Sequence, residues 1–199
     1  MLDTSFGTNG IAHVIGGNMA LAVGDQIVVG AIVTDPSNSQ TALAVERLNS
    51  DGTRDSSFAN GGMALVDLGI RFPVFYAVLA DPDGNVLMCS SLEPTGRRQP
   101  SQTALARFTS AGELDPTFGN QGITIATAAG GCSAMALLTS GDILVVDGQA
   151  VAQFTSSGSL KSTVPGGPIV VSNEGSLPWC SEHYPGKWRL SAWPRRLHR

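Results

Sequence analysis

Short apolar runs separated by glycine-containing turns dominate the hydrophobic pattern of this chain. The runs 27–29 and 122–125 are β-branched or alternating, and 143–146 is apolar at every position. Each strand-like run spans about 5–8 residues, and glycine interrupts the pattern too often for ordinary helices, so it predicts strands. Turns such as Asp83-Gly84 supply the positive φ that tight hairpins need. A wholly apolar run such as 143–146 is typical of a strand covered on both faces.

Three sequence blocks recur in the same order along the chain. The first block, here called a clasp, has the pattern Asp-x-Ser/Thr-Phe and ends in glycine four residues after the phenylalanine. Its copies are 3–10, 55–62 and 115–122, offset by 52 and 60 residues. The other blocks are 47–52, 107–112 and 153–158, and the turn-plus-apolar runs 24–29, 83–88 and 140–145. This periodicity predicts a repeat architecture.

Each clasp is predicted to be a structural turn. Its Asp and Ser or Thr can bond neighbouring backbone N–H groups, and its Phe would be the anchor buried beneath the turn. Gly7 and Gly119 would let the chain reverse, whereas Ala59 stands at the matching place. The alternative makes the aspartates metal ligands or catalytic acids, but a residue present in every unit usually serves the unit. The repeated positions are Asp3, Phe6, Gly10, Asp55, Phe58, Gly62, Asp115, Phe118 and Gly122.

Four strand-like runs fall between one clasp and the next. They are 10–15, 18–23, 26–33 and 41–48, then 62–68, 73–80, 85–92 and 103–109, then 122–127, 132–138, 142–147 and 150–155. Four antiparallel strands per unit make a β-propeller blade. The predicted blades are therefore about 10–53, 62–113 and 122–159, with a partial fourth at 167–172. The fourth clasp, at 161–164, has lost both its Asp and its Phe.

Residues 47–58, 81–87 and 104–122 resemble the signature of the delta-60 repeat family of bacterial β-propeller-like proteins. The resemblance covers about 1–172. It implies a propeller scaffold, often within large secreted or surface bacterial proteins, and it implies no single activity and no catalytic residues that could be carried over.

Three blades are fewer than a closed propeller needs, since such rings typically have about 4–8. The two end faces of three stacked sheets would be rich in apolar residues, which marks an association surface or an aggregation hazard. We therefore expect an incomplete or open propeller. Three arrangements stay open: a piece of a longer ring, copies that associate to close a ring, or an open twisted array.

Charge separates the repeat region from the C-terminal residues. Residues 1–172 carry 7 basic and 14 acidic side chains, a net charge of -7, whereas 173–199 carry 5 and 2, a net +3, with all three tryptophans. The segment 173–199 is read either as a basic aromatic tail that docks on an anionic partner or membrane surface, or as a non-native C-terminus.

With 12 Lys and Arg and a pI near 5.2, non-specific nucleic-acid binding is excluded. No signal peptide and no membrane span are predicted.

Three cysteines, Cys89, Cys132 and Cys180, are odd in number and far apart. They predict neither a disulfide scaffold nor a CxxC metal site. The expectation is two buried thiols in the repeat region and one thiol in the tail.

Candidate chemistry is sparse. Residues 131–135 resemble a nucleophile elbow around Ser133, but Met135 replaces the second glycine and no helix is predicted to follow. His13 is the one histidine of the repeat region and is expected to be an exposed strand residue. The turn 81–85 resembles part of a calcium loop without its distal Glu, so a plain turn is favoured.

Two functions from different classes are compatible with the sequence. The first is a non-catalytic propeller module that binds an unknown protein or small molecule, within a larger or self-associating assembly. The second is a lactonase- or esterase-like hydrolase with a divalent metal in a central funnel, which rests on fold analogy. Its only candidate residues are His13, Asp67 and Asp147. No motif implies a cofactor, and a metal enters only under the second hypothesis.

Overall fold

The computed structural model describes residues 1–35, 37, 40–68, 73–92, 101–127, 130–147 and 150–165. All of these belong to one compact unit, Met1–Ile169. The predicted partial blade at 167–172 and the tail 173–199 lie outside the described residues, as does Cys180. The division of the chain at residue 172 therefore stays a prediction.

The described residues form three four-stranded antiparallel sheets. Sheet 1 contains β1 (Asn18–Leu21), β2 (Ile27–Thr34), β3 (Thr41–Leu48) and β4 (Met63–Val66). Sheet 2 contains β5 (Pro73–Ala80), β6 (Val86–Leu92), β7 (Gln102–Phe108) and β8 (Ile123–Ala126). Sheet 3 contains β9 (Ala134–Leu137), β10 (Ile143–Val146), β11 (Ala150–Phe154) and β12 (Leu160–Pro165). Each sheet keeps its strands in chain order.

This architecture confirms the predicted all-β class with propeller-type blades in an open set. One 3-10 turn, Val23–Asp25, is the only helical element in the described part of the chain. Nothing helical there has the length and apolar character to cross a membrane.

The sheets group the strands differently from the prediction. The run 10–15 forms no strand and makes only isolated bridges, from Ile11 to Gly7 and Thr8. The strand after each clasp instead joins the sheet before it, so β4 pairs with β3 and β8 pairs with β7. The physical reason is that the clasp connects two neighbouring antiparallel strands, and strands adjacent in sequence tend to pair in space.

Sheet 3 is completed by a segment that was predicted to be a degenerate clasp. Residues 160–165 form β12, which pairs with β11. Thr155 N donates to Ser159 O across the intervening turn. Without the Asp and Phe that shape the other clasps, the chain turns directly from one strand into the next.

Sheet 2 lies between the other two sheets and shares a core with each. Successive side chains of β6 point to opposite faces. Val86 and Met88 pack with sheet 1 residues such as Val28 and Leu43. Leu87 and Cys89 belong to the second core, which also contains Phe118, Cys132, Ile143, Val145, Ala152 and Phe154.

Strand β10, inside sheet 3, corrects one prediction. Ile143 and Val145 are buried, but Leu144 and Val146 are only half-buried. Because sheet 3 packs on sheet 2 with one face, and no further sheet covers the other face among the described residues, the apolar run 143–146 is covered by a sheet on one side only.

The cysteines also differ from the prediction. Cys89 in β6 and Cys132 just before β9 are buried, as expected, but a disulfide joins them. The pair lies 43 residues apart in sequence, and only the packing of sheet 3 on sheet 2 brings the two Cα atoms to 6.1 Å.

Candidate functional site: the clasps between sheets

The second clasp is organised by one carboxylate. Asp55 Oδ1 accepts hydrogen bonds from the backbone N and the hydroxyl of Ser57, at 3.0 and 2.6 Å. Phe58 N donates to Asp55 O, and Gly62 N donates to Phe58 O, which closes the loop around a fully buried phenylalanine ring. These contacts are local, so the clasp forms from its own residue types.

Arg47 joins this clasp to the next sheet. Its Nε donates to Asp55 Oδ2 at 2.8 Å, and its Nη1 donates to Ser110 O at 2.7 Å, in the turn that follows β7. Ala59 N donates to Ala111 O in the same turn. The clasp of sheet 1 is therefore seated on a turn of sheet 2.

The third clasp repeats this arrangement one sheet further on. Arg107 Nε lies 2.8 Å from Asp115 Oδ2, and its Nη1 donates to Ser156 O at 2.5 Å. Phe118 is fully buried, and Gly119 N donates to Ser157 O. Two successive junctions thus each have an arginine, an aspartate and a phenylalanine in equivalent positions.

The first clasp makes the turn without an arginine. Asp3 Oδ1 accepts from Ser5 N at 2.9 Å, and Gly7 N donates to Asp51 O at 2.6 Å. Phe6 is half-buried and lies against Gly52, where a Cβ would come within 2.7 Å of the ring. This clasp therefore touches the turn of sheet 1 as the second and third touch those of sheets 2 and 3.

Sheet 3 also has an ion pair at this place, but the acidic and basic residues stand at different positions from those of sheet 1. Gln153 and Lys161 stand where Arg47 and Asp55 stand in sheet 1. The acid is now Asp142, whose Oδ2 accepts from Gln153 Nε2 at 2.7 Å and lies 2.8 Å from Lys161 Nζ. In sheet 1 the residue matching Asp142 is Gln26, which donates to Asp55. The pairing is retained although the charges have changed places.

Burial and hydrogen bonding act in opposite directions on the clasp carboxylates. Burial raises the pKa of Asp55, but the bonds from Ser57 and Arg47 outweigh it and hold the pKa below its ordinary value. Asp115 shows the same balance with Thr117 and Arg107, and its pKa is also lowered. Both clasp acids are therefore anionic near neutral pH, as acceptors in a structural turn must be.

One buried charge was not anticipated. Glu46 in β3 is completely buried. Its Oε1 lies 2.5 Å from Arg54 Nη2, and its Oε2 accepts from Ile15 N at 3.0 Å. The signal available in the sequence was a lone glutamate within the apolar strand 41–48. It fastens the chain before β1 to the outer face of sheet 1.

The hydrolase candidates are placed in separate loops. His13 is exposed and precedes β1, Asp67 follows β4, and Asp147 follows β10, where its Oδ1 accepts from Ala150 N. His13 is thus exposed as expected, although not in a strand. The described residues contain no group of three His, Cys, Asp or Glu side chains placed to hold a metal ion. They therefore give the hydrolase hypothesis no assembled site.

Ser133 is exposed and is followed by β9 rather than by a helix, so the nucleophile-elbow geometry is not formed. Its backbone N donates to Val146 O, which places it at the start of the β9–β10 pairing. The contact of Ser133 that the structure shows is therefore a backbone hydrogen bond of the sheet.

The turn 81–85 uses its own carboxylate. Asp81 Oδ1 accepts from Asp83 N and Asn85 N, and Oδ2 accepts from Asn85 Nδ2, all within 2.9 Å. A groove of about 470 Å³ separates this turn from the β9–β10 turn, with Arg107 and Ser156 on its wall. Because both carboxylate oxygens of Asp81 accept from donors within its own turn, the contacts favour a plain turn.

A protein-family profile described as "Domain of unknown function (DUF5122) beta-propeller" matches residues 25–58 and 95–118. The matched segments contain the second and third clasps up to their phenylalanines, together with Arg47 and Arg107. The match supports a β-propeller repeat family and agrees with the three open sheets. A comparison with curated proteins finds no match.

Proposed function

We propose that this chain is a non-catalytic β-propeller repeat module that binds a partner through the outward face of sheet 3. The observation that carries the proposal is the position of Leu144 and Val146. They stand where Leu87 and Cys89 stand in sheet 2, and those two residues are buried under a following sheet. Leu144 and Val146 are half-buried instead. An apolar face of this kind is typical of an association surface.

The occupant proposed for this face is a second copy of the chain. Its sheets are of the same type as those that already pack on one another at the two internal junctions. The outer face of sheet 1 is already buried within the chain, since Ala44 and Glu46 on it are fully covered, so the two copies would meet through their sheet 3 faces. Two-fold association is also the commonest symmetry of soluble oligomers.

The clasps are proposed to be structural in this module. Asp3, Asp55 and Asp115 each accept hydrogen bonds from the Ser or Thr two residues later. The second and third aspartates are also neutralised by an arginine of their own sheet. Asp55 and Asp115, which accept hydrogen bonds on both carboxylate oxygens, are suited to positioning rather than to metal binding or proton transfer. The delta-60 repeat resemblance and its bacterial surface context remain part of this proposal.

Light scattering coupled to size exclusion tests the association. We expect the wild-type chain to have the mass of two copies and Val146→Asp to have the mass of one, because a charge on this face would be desolvated by the partner. Thr139→Asp, in an exposed turn, is the matched control and should keep the mass of two copies. A wild-type mass of one copy at every concentration would refute self-association.

The enzymatic alternative is tested separately. A panel of lactones and esters is incubated with the protein, with and without EDTA. Turnover abolished by the chelator would overturn the non-catalytic proposal and identify a metal-dependent hydrolase. Absence of turnover, with no metal co-purifying, is the result we expect.

A further inference from the structure

At the two junctions between sheets, the equivalent position in the second strand of each sheet makes a different contact with the following sheet. Gly30 is the fourth residue of β2 and Cys89 is the fourth residue of β6. At the first junction Phe75 of sheet 2 lies on Gly30, so closely that a Cβ there would be 2.5 Å from its Cζ. At the second junction Cys132 of sheet 3 is bonded to Cys89. A covalent bond thus stands where the preceding junction has an aromatic ring on a glycine.

The disulfide is surrounded by further contacts that hold the same short segment. Ser91 Oγ accepts from Cys132 N at 2.8 Å and lies 3.2 Å from Cys132 O. Thr103 Oγ1 donates to Gly131 O at 2.5 Å. Residues 131 and 132 are therefore fixed to sheet 2 immediately before β9 begins, and the rest of sheet 3 follows from that point.

Sheet 3 depends on this point more than sheet 2 depends on the first junction. Its strands β9 and β10 have only four residues each, against eight and seven for β5 and β6. Its Ala134 and Ala136 are exposed and its Met135 and Leu137 are only partly buried, so β9 contributes less apolar burial than β5, in which Val78 is buried. Short strands with little burial open at low free energy unless something else holds them.

We propose that the Cys89–Cys132 disulfide is a redox-dependent fastening that holds sheet 3 on sheet 2, and that the chain matures in an oxidising environment. The bond forms when the two thiols exchange with a small-molecule disulfide, which is reduced to two thiols. A dithiol reverses it, regenerating both cysteines while the dithiol closes to a cyclic disulfide. Protein disulfides persist in oxidising compartments and are rare in reducing ones.

The first test uses the wild-type chain in its two redox states. Protein refolded with glutathione disulfide is digested without reductant, and we expect a linked pair of peptides containing Cys89 and Cys132, with Cys180 alone reacting with an alkylating agent. On reduction with dithiothreitol, amide hydrogen exchange in 131–147 should accelerate about 10²-fold, while exchange in β2 and β3 should change little. Three reactive thiols after oxidative refolding, or unchanged exchange after reduction, would overturn the proposal.

Three variants separate the bond from its residues. Cys89→Ala with Cys132→Ala should exchange rapidly in 131–147 whether or not dithiothreitol is present. Cys89→Gly with Cys132→Phe copies the packing of the first junction and should restore slow exchange without any response to reductant. Cys180→Ala is the matched control and should behave as the wild type in both states. If the Cys180→Ala chain no longer responded to reductant, the redox effect would belong to Cys180, and the proposal would be wrong.

Discussion

The guanidinium carbon of Arg47 lies 4.5 Å from the centroid of the Phe58 ring, so that the arginine stacks on the buried phenylalanine of its own clasp. Arg107 stacks on Phe118 in the same way, at 4.7 Å. Each arginine also reaches a carbonyl of the following sheet. Ion pairing, ring stacking and sheet-to-sheet contact are therefore combined in one side chain.

Arg47→Ala should destabilise the fold by about 3 kcal/mol. The substitution leaves Asp55 buried without its cation and removes the donor to Ser110 O, and losing one partner of a buried pair costs about 3–5 kcal/mol. The free energy of unfolding in urea measures the effect, and Arg107→Ala should lose a similar amount.

Lys161→Ala is the control for this comparison. Its side chain is 54% exposed, and Asp142 keeps its hydrogen bond from Gln153 when the lysine is removed, so the loss should cost at most about 1 kcal/mol. Equal losses for Arg47→Ala and Lys161→Ala would contradict the special role of the clasp arginines.

Acid should weaken the fold through the clasp aspartates. The pKa values of Asp55 and Asp115 are lower in the folded chain than their ordinary value. The stability that these groups contribute is therefore complete above the unfolded pKa of about 3.9 and is lost as the pH falls through the lower folded values. Urea unfolding measured between neutral pH and pH 3 should show a decline that Asp55→Asn makes shallower. A decline of the same steepness in that variant would assign the acid sensitivity to other groups.

Gly112→Ala tests the contact between the second clasp and the turn that follows β7. Gly112 has φ +86, and a Cβ there would lie 2.6 Å from Ala59 N and Cβ. The left-handed backbone alone costs an L-residue about 1–2 kcal/mol, and the clash with the clasp adds to it. Gly61→Ala is the matched control, since its φ is +64 and nothing lies within 4 Å of the new atom. We expect Gly112→Ala to be the more destabilising of the two in urea unfolding, and the reverse order would refute the contact.

Ala59→Gly should stabilise the chain by about 0.5 kcal/mol. Ala59 has φ +46, whereas the matching Gly7 and Gly119 have φ +57 and +54. Glycine removes the left-handed strain of about 1–2 kcal/mol, offset by about 0.4–1 kcal/mol of extra entropy in the unfolded chain. A rise in the midpoint of thermal unfolding would show the gain, and a fall would mean that the Ala59 methyl group contributes more by packing on Gly112 than it costs in strain.

Much of the fold could be predicted from residues close together in the chain. The strands 73–80 and 41–48 have their predicted limits, and β6 differs by one residue. These elements depend on local alternation and on turns such as 81–85, whose hydrogen bonds join residues at most four positions apart. The fold class followed from repetition of those local patterns.

The assignment of β4 and β8 to the preceding sheets was missed because a strand pattern does not state which edge it will pair with. The segment 160–165 was misread for a related reason. Loss of Asp and Phe showed that the clasp had gone, but not that a direct hairpin would take its place. Pairing partners are selected by packing across a sheet, and the sequence of one strand contains little of that information.

The sequence by itself determined the all-β class, the repeat unit and the composition of each clasp, because these depend on hydrophobic periodicity and on hydrogen bonds within a few residues. The tertiary structure alone decided that Cys89 meets Cys132, that Arg47 reaches Ser110, and that Glu46 is buried beside Arg54. Two of these contacts join residues far apart in the chain, and the third places a charge inside a sheet. The first two exist because sheets stack in a particular order and orientation, and the third exists because the chain before β1 covers the outer face of sheet 1.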